Sequence, residues 1–316
     1  LMPTLSDGVQ PSSDELIRLR LLARDLPLNQ HHALRSVIVG CHRSQFRGRG
    51  MDYEESRSYQ PGDDIRNMDW RVTARSGRAH VKVYEEERER PVVIMADFGP
   101  GMFFATQGAF KSIIATRAAA LIAWAAIQNG DRIGALLYNG KHHELRPTGG
   151  QRGALRLIRE LVTAADPAKS PAAKAHDRSS FNDALSRLRR VVRPGSLVFM
   201  LSDFYQFDAD SKQHLQLLRR HNDIVACQIL DRLELQPPAP GRYPINYAGQ
   251  QGILDTRSRT QREAWTQHFA ERRQHVSDLM QQCAVPLIRL NTADDVGQSL
   301  RQALTRPQLS NTEAVA

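Results

Sequence analysis

The sequence predicts an α/β protein with a doubly wound, mainly parallel sheet and a smaller β-rich part at its N-terminal end. From residue 91 onward, short apolar segments alternate regularly with longer segments of helical periodicity. Such alternation is typical of a parallel sheet that is covered by helices on both faces. With 41% hydrophobic and 24% charged residues in a chain of 316, the composition is that of a globular protein with enough apolar surface for a full core.

Each element of this Rossmann-like pattern follows from its periodicity and its flanking residues. The predicted strands are apolar runs that end at polar or turn-forming residues, and they cover residues 92–96, 132–138, 196–202, 223–230 and 285–290. The predicted helices have apolar residues at spacings of three and four, and they cover residues 108–129, 151–164, 180–191, 209–221, 259–283 and 294–304. Residues 236–252 contain too many prolines and glycines for a helix, which predicts a long excursion with room for an edge hairpin.

The residues before 91 follow a different pattern. Residues 14–34 begin with an Asp cap and show helical spacing, but Pro27 interrupts the pattern and predicts the end of the helix. The segments 36–40 and 79–91 are typical of strands, with a polar, glycine-rich stretch between them. We therefore expect residues 1–90 to form an N-terminal helix plus a β-rich segment, residues 91–308 to form the main domain, and residues 309–316 to form a flexible tail.

Cysteine usage and hydropathy favour a cytoplasmic location. The three cysteines, Cys41, Cys227 and Cys283, are far apart and lack the spacing of a zinc site or a disulfide framework, which suits a reducing compartment. The longest apolar run, residues 118–127, is too short to cross a bilayer, and the first residues contain no apolar signal-peptide core. We expect neither a signal peptide nor a membrane span.

The net charge of +9 is concentrated in residues 146–193, which contain 11 Lys or Arg residues against 4 Asp or Glu residues. A solvated face on amphipathic helices is the favoured interpretation, and a site for nucleic acid is the alternative. Arg152, Arg156 and Arg159 fall on one polar helix face, but few aromatic residues accompany them, which argues against stacking on single strands.

Motifs of common enzymes are absent from the sequence. Gly140-Lys141 is followed by His142 where a phosphate-binding loop needs Ser or Thr, and no GxSxG nucleophile elbow is present. His143-Glu144 fails as a zinc motif because Pro147 stands where the second His is required. We therefore expect a protein without enzymatic activity.

Two carboxylates stand at the ends of predicted strands. Asp97 ends one apolar strand and is followed by a Gly-Pro-Gly turn, and Asp203 ends another after Ser202. Because open α/β sheets place ligand sites at the carboxyl ends of their strands, we expect both carboxylates at one edge of the sheet. Such a pair suits a hard cation such as Mg²⁺ or Mn²⁺, and capping of the following helices is the alternative role.

From residue 91 onward this order resembles the metal-ion-dependent adhesion site of von Willebrand factor A domains. The resemblance implies Asp97 and Asp203 as metal ligands, but Gly99 and Gly101 stand where that family has two serines. Those hydroxyls are direct ligands in the family, so a degenerate site with weak or no metal binding is expected here. Gly99, Gly101 and Ser202 are also the candidate residues for contact with a partner protein.

A second constellation lies between Arg57 and Pro91, where opposite charges are dense beside aromatic residues. We expect a charge-assisted network that pins an irregular segment, with a binding face as the alternative. Its arginines are expected to surround the carboxylates of Asp64 and Asp69. The members of this signature network are Arg57, Tyr59, Pro61, Gly62, Asp63, Asp64, Arg66, Asp69, Trp70, Arg71 and Arg75.

This run is similar to the signature of the bacterial DUF58 family, whose members combine it with a von Willebrand A-like domain. The resemblance continues through Asp97 and the segment RPGSLVFMLSDF to cover most of the chain from residue 40. It implies work beside a MoxR-type AAA+ ATPase in chaperone-like assembly or activation of an unknown client. The expected function is therefore a non-enzymatic adaptor, and a nucleic-acid-associated protein that uses residues 146–193 is the alternative.

Overall fold

The fold was analysed in a computed structural model that describes residues 8–28, 51–60, 63–86, 90–169, 179–247 and 250–305. The strands are β1 Met51–Ser58, β2 His80–Glu86, β3 Pro91–Asp97, β4 Arg132–Tyr138, β5 His142–Thr148, β6 Leu197–Ser202, β7 Asp223–Leu230, β8 Arg242–Tyr247, β9 Gln250–Asp255 and β10 Leu287–Asn291. The helices are α1 Ser13–Arg18, α2 Trp70–Ser76, α3 Lys111–Gln128, α4 Gly150–Ala164, α5 Ser179–Val191, α6 Ala209–Arg219, α7 Arg259–Gln282 and α8 Val296–Thr305.

Six of the strands form one central sheet in the order β10-β7-β6-β3-β4-β5. All neighbours run parallel except β5, which pairs antiparallel with β4 at one edge. Counted from β3, this is the 3-2-1-4-5-6 order of a doubly wound sheet, whose direction of winding reverses between β3 and β6. The predicted α/β class is confirmed.

The sheet is buried on both faces because its strands are apolar throughout. One apolar cluster joins the sheet to α3, α4 and α8, and a second joins its other face to α5, α6 and α7. Helix α3 is buried along nearly its whole length, as expected for a helix that is apolar on all sides. Among the described residues, no helix is long and apolar enough to span a bilayer.

The chain divides into two compact units, and the boundary differs from the expected one. Residues 1–37 group with residues 90–316, and residues 38–89 form the second unit. The leading helix is thus part of the main unit instead of the N-terminal part, because it packs on α3: the Trp124 indole donates a hydrogen bond to the Leu16 carbonyl over 2.9 Å. The helical segment ends at Asp25, two residues before Pro27, in agreement with the predicted stop.

Several strands outside the buried core of the sheet differ from the sequence-based expectation. Strand β5 was not expected, and neither was β1, which pairs with β2 in the second unit. Residues 242–255 form a hairpin, β8 with β9, that makes its own two-stranded sheet and does not join the edge of the central one. The predicted strand at 36–40 and the predicted tail at 309–316 lie outside the described residues.

Candidate functional site

The candidate site lies at the carboxyl edge of the sheet, where the winding reverses between β3 and β6. Asp97 is the last residue of β3 and is 9% exposed, and Ser202 is the last residue of β6. The Ser202 hydroxyl donates to Asp97 Oδ2 over 2.7 Å, and the Gly99 amide donates to Asp97 Oδ1 over 2.7 Å. The structure thus brings Asp97, Gly99 and Ser202 together, and Asp203 directly follows Ser202 with its charge acting on Asp97. Gly101 lies in the short 3₁₀ turn that follows β3.

A lysine lies between the carboxylates of this edge. Lys111, the first residue of α3, donates from Nζ to Glu234 Oε1 over 2.7 Å, and its Nζ is 3.7 Å from Asp203 Oδ2. The Lys111 side chain is only 3% exposed. A buried ammonium needs counter-charges, and here the loops after β6 and β7 each provide one.

Burial and the neighbouring charges change the proton affinity of Asp97 and of Lys111. Burial, helped by the negative charge of Asp203, raises the pKa of Asp97 from 3.8 to about 7, against the opposing hydrogen bonds from Gly99 and Ser202. Burial alone would lower the pKa of Lys111, but Asp203 and Glu234 more than compensate and raise it above its ordinary value. Lys111 therefore stays charged at physiological pH, whereas Asp97 changes its charge near neutrality.

A third strand-end carboxylate, Asp231 after β7, ties the surrounding loops together. It is completely buried and accepts hydrogen bonds from the amide and the hydroxyl of Thr106 over 2.8 and 2.7 Å. It also accepts from the Thr292 hydroxyl over 2.9 Å. These bonds lower the pKa of Asp231 even though burial by itself would raise it. The loops after β3, β7 and β10 are consequently fixed to one buried anion.

Two exposed aromatic side chains border this network. Phe104, in the loop after β3, is 45% exposed, and Tyr205, in the loop after β6, is 52% exposed. The Phe104 carbonyl accepts a hydrogen bond from the Lys111 amide over 3.2 Å, and the Tyr205 amide donates to Asp203 Oδ1 over 2.9 Å. Both aromatic residues are therefore attached through their backbone to members of the buried charged cluster. We call Phe104 and Tyr205 the aromatic rim.

Tyr205 is further restrained by its neighbours. The Arg272 guanidinium of α7 lies over the Tyr205 ring, 4.7 Å from its centre, and donates a hydrogen bond to the Phe204 carbonyl over 2.9 Å. Phe204 has a backbone φ of +53°, which is unusual for a residue with a side chain. Its ring is buried edge-on against Phe181 and Phe207, and this packing compensates for the backbone conformation.

Sequence reasoning missed Lys111, Asp231 and Glu234. Asp231 had the same signal as Asp97 and Asp203, because it directly follows an apolar strand. Glu234 completes a capping box on Asp231, with its Oε2 accepting from the Asp231 amide over 2.8 Å. Lys111 gave no such signal, since a lysine in the first turn of a helix is usually solvated.

The signature network of the second unit differs from its expected pairing. Arg57 pairs with Asp63, with nitrogen–oxygen distances of 2.9 and 2.6 Å. Asp64 accepts from the Arg66 amide, and Asp69 caps α2 by accepting from the amides of Arg71 and Val72 over 3.1 Å.

The expected ring of arginines around Asp64 and Asp69 is therefore incorrect, because backbone amides already occupy these carboxylates. Asp69 is also bound by the Ser56 hydroxyl over 2.6 Å. Trp70 is 67% exposed, and the side chains of Arg66, Arg71 and Arg75 are exposed as well. The Tyr59 amide donates to the Ala79 carbonyl over 2.9 Å, while Pro61 and Gly62 lie outside the described residues.

Comparison with known proteins matches one family. The profile of the family described as "Protein of unknown function DUF58" matches residues 55–275. Uncharacterized proteins of Mycobacterium tuberculosis and Mycobacterium bovis are 29% identical over 281 residues, which cover 88% of this chain and 86% of each relative.

Solved structures with similar folds are more distant. The protein BatB from Bacteroides thetaiotaomicron is 12% identical, with 68% of this chain and 97% of that chain covered and a TM-score of 0.38. A von Willebrand factor type A protein from Catenulispora acidiphila is 10% identical, with 71% and 43% covered and a TM-score of 0.37. These scores are low, and the strand order of the chain itself defines its fold class.

Proposed function

This chain belongs to the DUF58 family, and we propose that it is a non-enzymatic adaptor that binds another protein at the carboxyl edge of its sheet. The finer proposal is that this partner is a MoxR-type AAA+ ATPase, to which the adaptor brings a client protein. The ATPase is proposed because members of the family that the signature resembles are commonly encoded beside such enzymes. A cytoplasmic location is proposed for the same assembly.

The observation that carries this proposal is the attachment of the aromatic rim to the buried charged cluster. Phe104 and Tyr205 expose large apolar surfaces, yet their backbone atoms are hydrogen-bonded to Lys111 and Asp203. Aromatic side chains held in a fixed position lose little entropy on binding and are enriched at the centres of protein interfaces. An aromatic rim on a hydrogen-bonded backbone suits a protein partner better than a small substrate.

We propose that the chain is not an enzyme because the polar groups of this site are buried and already hydrogen-bonded. Asp97 and Lys111 are buried and hydrogen-bonded within the protein, so a substrate would have to displace these bonds to reach them. The Ser202 hydroxyl does pair with the Asp97 carboxylate, but these two residues are only 3% and 9% exposed, so the pair is closed to a substrate. A recognition surface above a fixed polar network fits these residues better than an active site.

The test measures binding of the purified full-length chain to the MoxR-type ATPase of the same host. Replacing both rim residues, Phe104→Ala with Tyr205→Ala, should weaken the affinity by at least about tenfold, as expected for aromatic anchors. Leu155→Ala removes an exposed apolar side chain of α4, which is 42% exposed, and should leave the affinity unchanged. Equal affinity of all variants, or no ATPase binding at all, would refute the proposal.

Binding of nucleic acid is the second candidate, and it is favoured by the exposed face of α4. Arg152, Arg156 and Arg159 all lie on that face. Phosphate binding would weaken steeply as the salt concentration rises, with a slope that falls by roughly one for each phosphate contact removed. Absence of DNA and RNA binding at low salt would exclude this candidate, whereas binding lost in Arg152→Ala with Arg156→Ala would support it.

A further inference from the structure

The resemblance to metal-ion-dependent adhesion sites implies a divalent cation at this edge, but the residues present do not fit one. Gly99 and Gly101 offer no hydroxyl ligands. Both oxygens of Asp97 already accept hydrogen bonds, from the Gly99 amide and the Ser202 hydroxyl. Among the residues that the structure describes, no three His, Cys, Asp or Glu side chains are arranged to hold a metal ion.

The positive charge that such a site needs is already supplied by the protein. Lys111 Nζ lies 2.7 Å from Glu234 Oε1 and 3.7 Å from Asp203 Oδ2, and its charge also acts on Asp97 and Asp231. We propose that the Lys111 ammonium is the resident cation of this carboxylate cluster and holds the position that a divalent ion takes in a metal-dependent site. This inference concerns the cluster itself and does not depend on which partner binds.

The start of α3 and the hydrogen bonds around Glu234 keep the ammonium in this position. Its helix begins at Lys111, so the side chain starts from the same edge of the sheet as the carboxylates. Glu234 is fixed by its bond to the Asp231 amide, and α7 holds the same turn: the Trp265 indole donates to the Leu233 carbonyl over 2.7 Å. Arg273 of α7 donates to the Glu234 carbonyl. A divalent ion would meet a buried like charge instead of an open coordination position.

Two consequences follow for recognition. Because the Lys111 side chain is only 3% exposed, a carboxylate from a partner cannot complete the site as it would complete a metal centre. Binding at the aromatic rim is then independent of divalent metal. The cluster acts as a permanent support for the loops after β3, β6 and β7.

The first experiment adds Mn²⁺ or EDTA to the purified full-length protein and follows thermal unfolding and calorimetric heat. The unfolding midpoint should be the same in both solutions, and saturable Mn²⁺ binding should be absent. Saturable binding to the unmodified protein that disappears in Asp203→Asn would overturn the inference, because the metal would then share or take the lysine's place.

The second experiment opens the position with Lys111→Ser, which removes the ammonium and leaves space for water beside Asp203 and Glu234. Two carboxylates with water ligands can hold a divalent ion. Saturating Mn²⁺ should then raise the unfolding midpoint by about 5 °C. The gain should disappear in Lys111→Ser with Asp203→Asn. A folded Lys111→Ser protein whose unfolding midpoint does not change with Mn²⁺ would contradict the inference.

The third experiment covers the case in which Lys111→Ser fails to fold. Lys111→Met keeps the bulk of the side chain but leaves the carboxylates uncompensated, so the unfolding midpoint should fall well below that of Lys141→Met, which alters an exposed lysine. Adding Asp203→Asn to Lys111→Met should recover part of the loss, or restore folding if the single variant is insoluble. A double variant no better than Lys111→Met would show that the cluster does not need this charge.

Discussion

At the scale of single residues, Asp97 stands out because its ionisation is opposed by its surroundings. It is buried at the end of β3, and the charge of Asp203 lies close by. A carboxyl group in this position prefers to be protonated, and the Ser202 and Gly99 hydrogen bonds only partly offset that preference. The folded protein therefore binds a proton at Asp97 more tightly than the unfolded chain does.

This preference predicts how stability depends on pH. The pKa of Asp97 rises from 3.8 when unfolded to about 7 when folded, so its favourable contribution is complete below pH 4 and is lost as the pH rises to about 7. Relative to Asp97→Asn, the free energy of unfolding of the unmodified protein should fall by up to about 1.4 kcal/mol per pH unit in this window. Urea unfolding at several pH values measures the difference.

The matched control for this experiment is Asp210→Asn, since Asp210 is an exposed carboxylate in the first turn of α6. The difference in the free energy of unfolding between Asp210→Asn and the unmodified protein should be nearly constant between pH 5 and pH 8. Parallel stability curves for the unmodified protein and Asp97→Asn would contradict a raised pKa for Asp97.

The residues of the cluster also show which parts of the site a sequence pattern predicts. Asp97 and Asp203 were predicted because each ends an apolar strand, and the topology of parallel strands brings such ends together. The role of Lys111 could not be predicted, because its partners Asp203 and Glu234 are distant in the chain and the pairing depends on the exact packing of α3. The pairing of Arg57 with Asp63 likewise depends on local backbone amides that occupy the neighbouring carboxylates.

At the scale of elements, the leading segment is held to α3 by a buried ion pair. Glu15 of α1 accepts from Arg117 of α3 over 2.7 Å, and the two side chains are 3% and 10% exposed. The Arg20 guanidinium also lies 5.7 Å from the centre of the Trp124 ring. These contacts explain why the segment belongs to the main unit although it precedes the second unit in the chain.

Removing Arg117 should therefore destabilise the main unit strongly. Arg117→Met leaves the buried Glu15 charge without its guanidinium, and breaking such a pair costs about 3–5 kcal/mol. Adding Glu15→Gln should recover much of the loss. The exposed pair Arg301 with Asp25 is 3.7 Å long and provides the control: Arg301→Met should cost less than about 1 kcal/mol. Equal losses for both arginine variants in urea unfolding would contradict the buried pair's role.

The strands differ in how well the local sequence predicts them. Buried strands such as β4 and β7 were predicted with their observed bounds, because a continuous apolar run needs no partner to be recognised. Strand β5 is half exposed and contains Pro147, so only its pairing with β4 at the sheet edge makes it a strand. Strand β1 is polar and depends on β2 in the same way.

At the scale of the whole molecule, the central sheet separates two apolar clusters, and Cys227 lies inside one of them. Cys227 is in β7 with no exposed surface, and burial raises the pKa of its thiol to about 12. While the sheet is intact, the Cys227 thiol is neither accessible to a reagent nor ionised, so it does not react. Its modification should therefore report the opening of the main unit as a whole.

The prediction is tested in a Cys41→Ser, Cys283→Ser background with a disulfide reagent at pH 8. Without denaturant, the thiol should react at least about a thousandfold more slowly than in the unfolded protein, in line with the usual populations of open states. The rate should rise with urea in parallel with global unfolding. Reaction within tenfold of the unfolded rate would mean that β7 opens locally.

The second unit is inserted into the main one between residues 37 and 90, and its two strands begin and end side by side. Met51 at the start of β1 is the register partner of Glu86 at the end of β2. Because residues 51 and 86 lie side by side, the stretch between them adds little loop-closure entropy to the chain that carries it. In evolutionary terms, residues 51–86 are free to lengthen or to change their surface without rerouting the strands of the central sheet, so selection for new partners can act on this stretch separately from selection for folding.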